Sequence, residues 1–188
     1  MNLRIIFLFI YQKWAQVLIF GRLFQALWAR LATSCCILLC MQLTLAHIGP
    51  RPGSKDGFES LVQTYIERCS AFARCRTEAF RNEEAMLGWL ERQSGRTPAL
   101  AVLLDSRGRQ MTSEGFAAWL GARRDQGSPH AVFAVGAASG WSEAARGRAQ
   151  LLLSLGEMTL AHALARLVMA EQIYRAFTIL SGHPYHRA

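Results

Sequence analysis

The chain is short of acid at its front, lacks paired cysteine motifs, and has no uninterrupted apolar run long enough to cross a bilayer. No Asp or Glu precedes Asp56, and the only charges up to Cys40 are Arg4, Lys13, Arg22 and Arg30, set among Phe, Leu, Ile and Trp. Three of these cut the apolar stretches, so the longest, Leu31 to Ala46, falls under the ~18 residues that suggest a spanning helix. Membrane anchoring is therefore disfavoured, while a basic, aromatic-rich helix lying on a bilayer surface still fits the composition. A secretory signal would use Arg30 as its basic start and Cys35 to Leu45 as its apolar core, with cleavage after Ala46. That cut falls inside an expected core strand. No Cys-Xaa-Xaa-Cys and no His pair at ligand spacing occurs, which removes the usual sequence grounds for a metal site. Cys69 and Cys75 read as inert core thiols in a reducing compartment, and the expected location is cytoplasmic.

No internal repeat or low-complexity linker divides what remains. With 188 residues, 52% of them hydrophobic, the chain suits a single domain with a sizeable core. From Met41 the pattern alternates strand and helix, the mark of a parallel α/β sheet. Strands are expected at Leu43 to Ile48, near Cys75 to Phe80, and at Ala99 to Leu104, Ala131 to Val135 and Leu151 to Leu155. Phe58, Leu61, Val62, Tyr65, Ile66 and Cys69 recur at helical spacing. Asn82 is an expected N-cap, Thr112 or Ser113 another, and Ser106-Arg-Gly-Arg109 is expected to turn the chain. In such sheets ligands bind beyond the carboxyl ends of the strands. Three segments qualify: the one after Leu104, the loop Gly136 to Gly140, and Leu155 to Leu160.

The C-terminal part is the most informative. Leu167, Ala170, Ile173, Phe177 and Leu180 keep three- and four-residue spacing, which predicts a helix from about His162 to Leu180 with one buried face. Gly182 and Pro184 stop it. Beyond lie His183, Tyr185, His186 and Arg187, a concentration of reactive groups unusual for a terminus, which without a task is generally frayed and chemically indifferent.

The Thr159-Leu-Ala-His162 turn, the helix containing Glu171-Gln-Ile-Tyr-Arg-Ala176 and the His183-Pro-Tyr-His-Arg187 tail resemble the signature of the 23S rRNA (pseudouridine-N3) methyltransferases of the knotted SPOUT superfamily. Met41 to Gly49 is similar to that family's start. Residues 1–40 are accordingly expected to be a mis-called start, with an anchor as the alternative, and 41–188 one domain. The resemblance implies an α/β fold with a mainly parallel sheet and a C-terminal trefoil knot. It also implies S-adenosylmethionine as methyl donor, 23S rRNA in the assembled ribosome as substrate, and a homodimer. Residue by residue, it implies cofactor contacts at Leu104, Gly136, Leu155, Gly156, Glu157, Met158, Thr159 and Leu160, mostly through backbone groups.

For chemistry, N3 of pseudouridine must lose a proton before or during attack on the sulfonium methyl, so a base or a charge stabiliser adds to positioning. His162, Arg175, Tyr185, His186 and Arg187 are the expected catalytic group, with Arg166 also weighed. His162 has two readings, a helix cap that orients the cofactor loop or the base itself, and the first is preferred. Arg175 has a structural alternative, pairing with Glu171 four residues earlier. The sequence departs from the family pattern at Ala137, Ser139, Gly156 and Ala161. Where positive φ or close approach is needed, the Ala137 methyl would narrow the pocket, and with Ser139 it motivates the alternative of an RNA- or ribosome-binding relative with weakened transfer; a membrane-tethered variant using residues 1–40 is a further alternative. The net charge of +8 suits a polyanion, and removing residues 1–40 halves it. Arg107/Arg109, Arg123/Arg124 and Arg146/Arg148 are either phosphate contacts or solvated surface.

Overall fold

The computed structural model describes residues 41–53, 56–93 and 98–185. Expectations for residues 1–40, and for His186 and Arg187, fall outside them. The elements run β1 (Gln42–Ile48), α1 (Gly57–Cys69), β2 (Arg74–Phe80), α2 (Glu83–Gln93), β3 (Leu100–Gln110), α3 (Ser113–Asp125), β4 (His130–Val135), α4 (Glu143–Arg148), β5 (Leu151–Ser154) and α5 (His162–Ser181). Caps set several boundaries. Asp56 accepts from the Phe58 and Glu59 amides, Asn82 from Ala85, and Thr112, rather than Ser113, from Gly115. Gly182 closes α5 in the left-handed region at φ 68°.

The five strands form one parallel sheet in the order β2-β1-β4-β3-β5. Connections that move toward β2 carry α1 and α3 on one face, and those that move toward β5 carry α2 and α4 on the other. A single crossover hand requires this arrangement. Alternate strand residues feed the two faces. Leu43, Leu45, Val102 and Phe133 join α1, α3 and α5 in the larger core, while Ala46, Ile48, Leu103 and Val132 join α2 and the start of α4 in the smaller. Phe133 and Phe177 are fully enclosed, and truncating either to Ala would cost about 3–5 kcal/mol.

The expected turn at Ser106 to Arg109 is instead an excursion of β3. The strand pairs Leu104 with Leu153, bulges, and pairs again through Arg109 with Leu153 and Gln110 with Ser154. Gly108 permits this, because a Cβ there would lie 2.6 Å from the Leu152 carbonyl carbon. No side chain fits between the two main chains. The six-residue α4 was not foreseen either. Among the described residues no helix is long and apolar enough to cross a membrane.

Candidate functional site

The strand register brings the three expected cofactor segments side by side. Leu104 pairs with Val135 on one side and Leu153 on the other, so Gly136 and the Leu155 segment leave the sheet next to the point where β3 bulges. The β3–β4 and β4–β5 connections depart in opposite directions there, which opens a crevice at the carboxyl edge.

Trp141, which sequence reasoning passed over, fixes the crevice wall. Its indole N–H donates to the Leu104 carbonyl at 2.8 Å, and its ring lies on Gly136. A Cβ at Gly136 would come within 2.9 Å of the indole Cε2. Gly136 is therefore needed for close approach rather than for unusual backbone angles: positive φ in this loop belongs to Gly140, at 78°. Ala137 has no positive φ and packs against the smaller core, so the substitution there introduces no strain. Gly156, at φ 142°, sits where an L side chain is rare, and Ser154 secures the turn by accepting from the Gly156 amide and donating to its carbonyl. Glu157, Met158 and Thr159 are exposed beyond it, Met158 by 82%.

Past Leu104, Asp105 ties the bulge to α4. Its carboxylate accepts from the Arg107 amide at 2.9 Å and Arg146 Nε at 2.7 Å. Burial alone would raise its pKa, but these donors outweigh that and hold the carboxyl below its ordinary value. The expected phosphate-binding arginines are largely engaged within the chain. Arg107 and Arg146 serve Asp105 and Glu143, Arg148 serves Glu91, and Arg123 and Arg124 serve Gln126 and Asp125.

Of the expected catalytic residues, the described ones, His162, Arg175 and Tyr185, fall into two places within one chain. His162 opens α5 beside the carboxyl edge, its ring 5.6 Å from that of His47 at the end of β1. It does not cap the helix: Ala161 holds the N-cap position with no side-chain cap bond. One ring nitrogen of His162 bonds the Ile48 backbone, and Nε2 is buried without a partner. Burial first, then the Arg166 charge, lowers its pKa. Arg166 is itself buried and paired with Glu59 of α1.

Arg175 lies thirteen residues further along α5, about 20 Å at the helical rise. It bonds Glu171 through Nε at 2.9 Å and Nη2 at 2.6 Å, the i, i+4 pairing that was its structural alternative. Tyr185 folds back onto this pair. Its hydroxyl donates to Glu171 Oε1 at 3.2 Å, and its ring meets Tyr174 at 4.8 Å and the Arg175 guanidinium at 5.1 Å. Burial, with Tyr65 and Glu171, raises its pKa, so the phenol remains a donor. Tyr174 in turn packs near Phe72, in the turn leading into β2 at the opposite edge of the sheet. His183 is exposed, and its Nδ1 accepts from the Tyr185 amide at 3.2 Å.

Comparison with known proteins follows the same span. A family model described as "Predicted SPOUT methyltransferase" matches residues 41–186. The ribosomal RNA large subunit methyltransferase H of Koribacter versatilis (strain Ellin345) is 42% identical over 146 residues, 78% of this chain and 98% of the relative. That of Rhizobium meliloti (strain 1021) is 43% identical over 144 residues, 76% of this chain and 83% of the relative. The solved SpoU methyltransferase AviRb of Streptomyces viridochromogenes, with S-adenosylmethionine bound, is a distant likeness: TM-score 0.43, 16% identity, 73% of this chain and 58% of that one.

Proposed function

Because the chain belongs to the SPOUT methyltransferase family, we propose that it methylates N3 of a pseudouridine in 23S rRNA of the assembled ribosome, with S-adenosylmethionine as donor. The observation that carries this is the crevice where Leu104, Gly136 and the Leu155 to Leu160 segment meet. Backbone groups of these segments hold the cofactor, and the family's trefoil knot is part of the reading. Bound there, S-adenosylmethionine supplies an electrophilic methyl group. The chain's own task is to orient the acceptor base, exclude water and take up the N3 proton.

The division of α5 bears on how the site is completed. One chain carries His162 at the carboxyl edge and its Tyr185 tail at the opposite edge, so a complete site takes the tail of a second copy in a homodimer. Incubating purified ribosomes with methyl-labelled S-adenosylmethionine and mapping the label by mass spectrometry tests the reading. Label on N3 of one pseudouridine of the large-subunit RNA is expected. Label elsewhere, or on free RNA but not ribosomes, would overturn the assignment.

A further inference from the structure

His47 lies in the same cross-sheet row as the crevice, the partners running His47, Val135, Leu104, Leu153. No motif pointed to it, yet it is 3% exposed and in ring contact with His162. The turn that ends β1 sets the His47 tautomer. A carbonyl only accepts, so His47 Nε2, 3.2 Å from the Pro50 oxygen, carries its proton and Nδ1 is left as a lone pair. The His162 ring meets the Ile48 backbone, and its Nε2 has no partner among the described residues. Both leftover nitrogens are buried and unpartnered among the described residues, as is Nε of Arg166 one helical turn on.

Buried polar atoms are rarely left unpaired without a reason, and two acceptors beside one donor suit a ligand that brings its own N–H or O–H. The charged groups around the pair are Arg166 of α5 and Glu59 of α1, which are committed to each other. Arg166 opposes accumulation of charge on both rings, and a proton on either imidazole disfavours one on the other.

Resting on the methyl-transfer reading, we propose that His47 is a positioning residue for the reaction: packed against His162, it shields the Nε2 lone pair of His162 from water and keeps it free to accept the proton of the target N–H. In that step the N–C bond forms as the C–S bond breaks, the sulfonium leaves as a neutral thioether, and the N–H proton moves to His162 Nε2. The resulting imidazolium then loses its proton to solvent between turnovers.

The test titrates the His162 ring by nitrogen NMR in the full chain and compares it with the pH dependence of kcat on ribosomes. His47→Ala admits water, so the His162 titration rises toward the ordinary 6.5 and the acid limb of kcat rises with it, while KM for S-adenosylmethionine stays within about twofold. His47→Leu refills the space and restores the wild-type profile. His47→Gln fills it too but aims an amide donor at the lone pair, lowering rate and titration together, and serves if the Ala variant fails to fold. An unchanged His162 titration in both Ala and Gln variants overturns the proposal, as does a shifted titration that the acid limb does not follow. The titration needs no substrate, so a wild-type protein that methylates no ribosomal RNA would sink the parent reading separately.

Discussion

The indole of Trp141 lies against the backbone of Gly136 with no room for a methyl between them, while its N–H holds the Leu104 carbonyl. One side chain thereby spaces two of the three segments that form the crevice. Gly136→Val drives a branched side chain into a ring only 4% exposed, which costs about 1–3 kcal/mol of stability and displaces the wall. Calorimetry with S-adenosylmethionine should show binding lost, and thermal unfolding a lower Tm, in the same variant. Lost binding at an unchanged Tm would mean that the ring moves aside and that Gly136 matters only to the ligand.

Gly108→Ala probes the bulge of β3. The added carbon meets Leu152 and Leu153 main chain, and backbone is harder to displace than the end of a side chain. A loss at or beyond the upper end of about 1–3 kcal/mol is expected in urea unfolding. A wild-type midpoint would show that the β3–β5 pairing is not rigid at this point.

The same two glycines show what was legible in the sequence. Strands came from apolar runs, caps from Asn82 and Thr112, and the α5 face from Ala170, Ile173 and Phe177, because each signal is local. The excursion of β3 was hidden because Ser106-Arg-Gly-Arg109 has turn composition, and the need for Gly108 comes from a strand more than forty residues away. The crevice segments were legible as loops at strand ends, and the register sets them side by side, whereas Trp141 and His47 were missed because a lone aromatic and a lone histidine carry no spacing signal. Sequence spacing did not show that the length of α5 separates His162 from Arg175 within one chain, because a motif carries residue types and not which protomer supplies them.

Two buried histidines and one half-buried histidine predict acid sensitivity. His47, His130 and His162 all have pKa values below 6.5, with burial the largest cause in each. His130 is also bonded to the Thr44 hydroxyl at 2.9 Å beside the Arg76 charge. The folded state favours the neutral rings, so the unfolded chain binds more protons once pH falls under 6.5. Stability is fully present above that value and declines as pH drops from it toward the folded pKa values. Asp105 adds a separate window, its stabilisation fading as pH falls below 3.8. Urea midpoints should be flat from about pH 8 to 7 and fall by about pH 5.5; a constant or rising midpoint would contradict the sign.

The distance between His162 and the tail predicts complementation between defective subunits. If each site joins the carboxyl edge of one protomer to the tail of the other, a His162→Ala chain and an Arg187→Ala chain damage different halves of the same site. Each homodimer then has two broken sites. A mixed dimer places both lesions in one site and leaves the other intact. Random re-association of equal amounts makes half the dimers mixed, so roughly a quarter of wild-type site number returns. Each variant alone should lose on the order of 10²–10⁴-fold in methyl transfer if its residue handles the proton or the charge that develops on the base. Sites built within single chains would give no recovery on mixing, because every chain would carry its own lesion. Stable mixed dimers, verified by native mass spectrometry, with no regained activity would therefore rule out the shared site and return the tail of each chain to its own helix, where Tyr185 already meets Glu171 and Arg175.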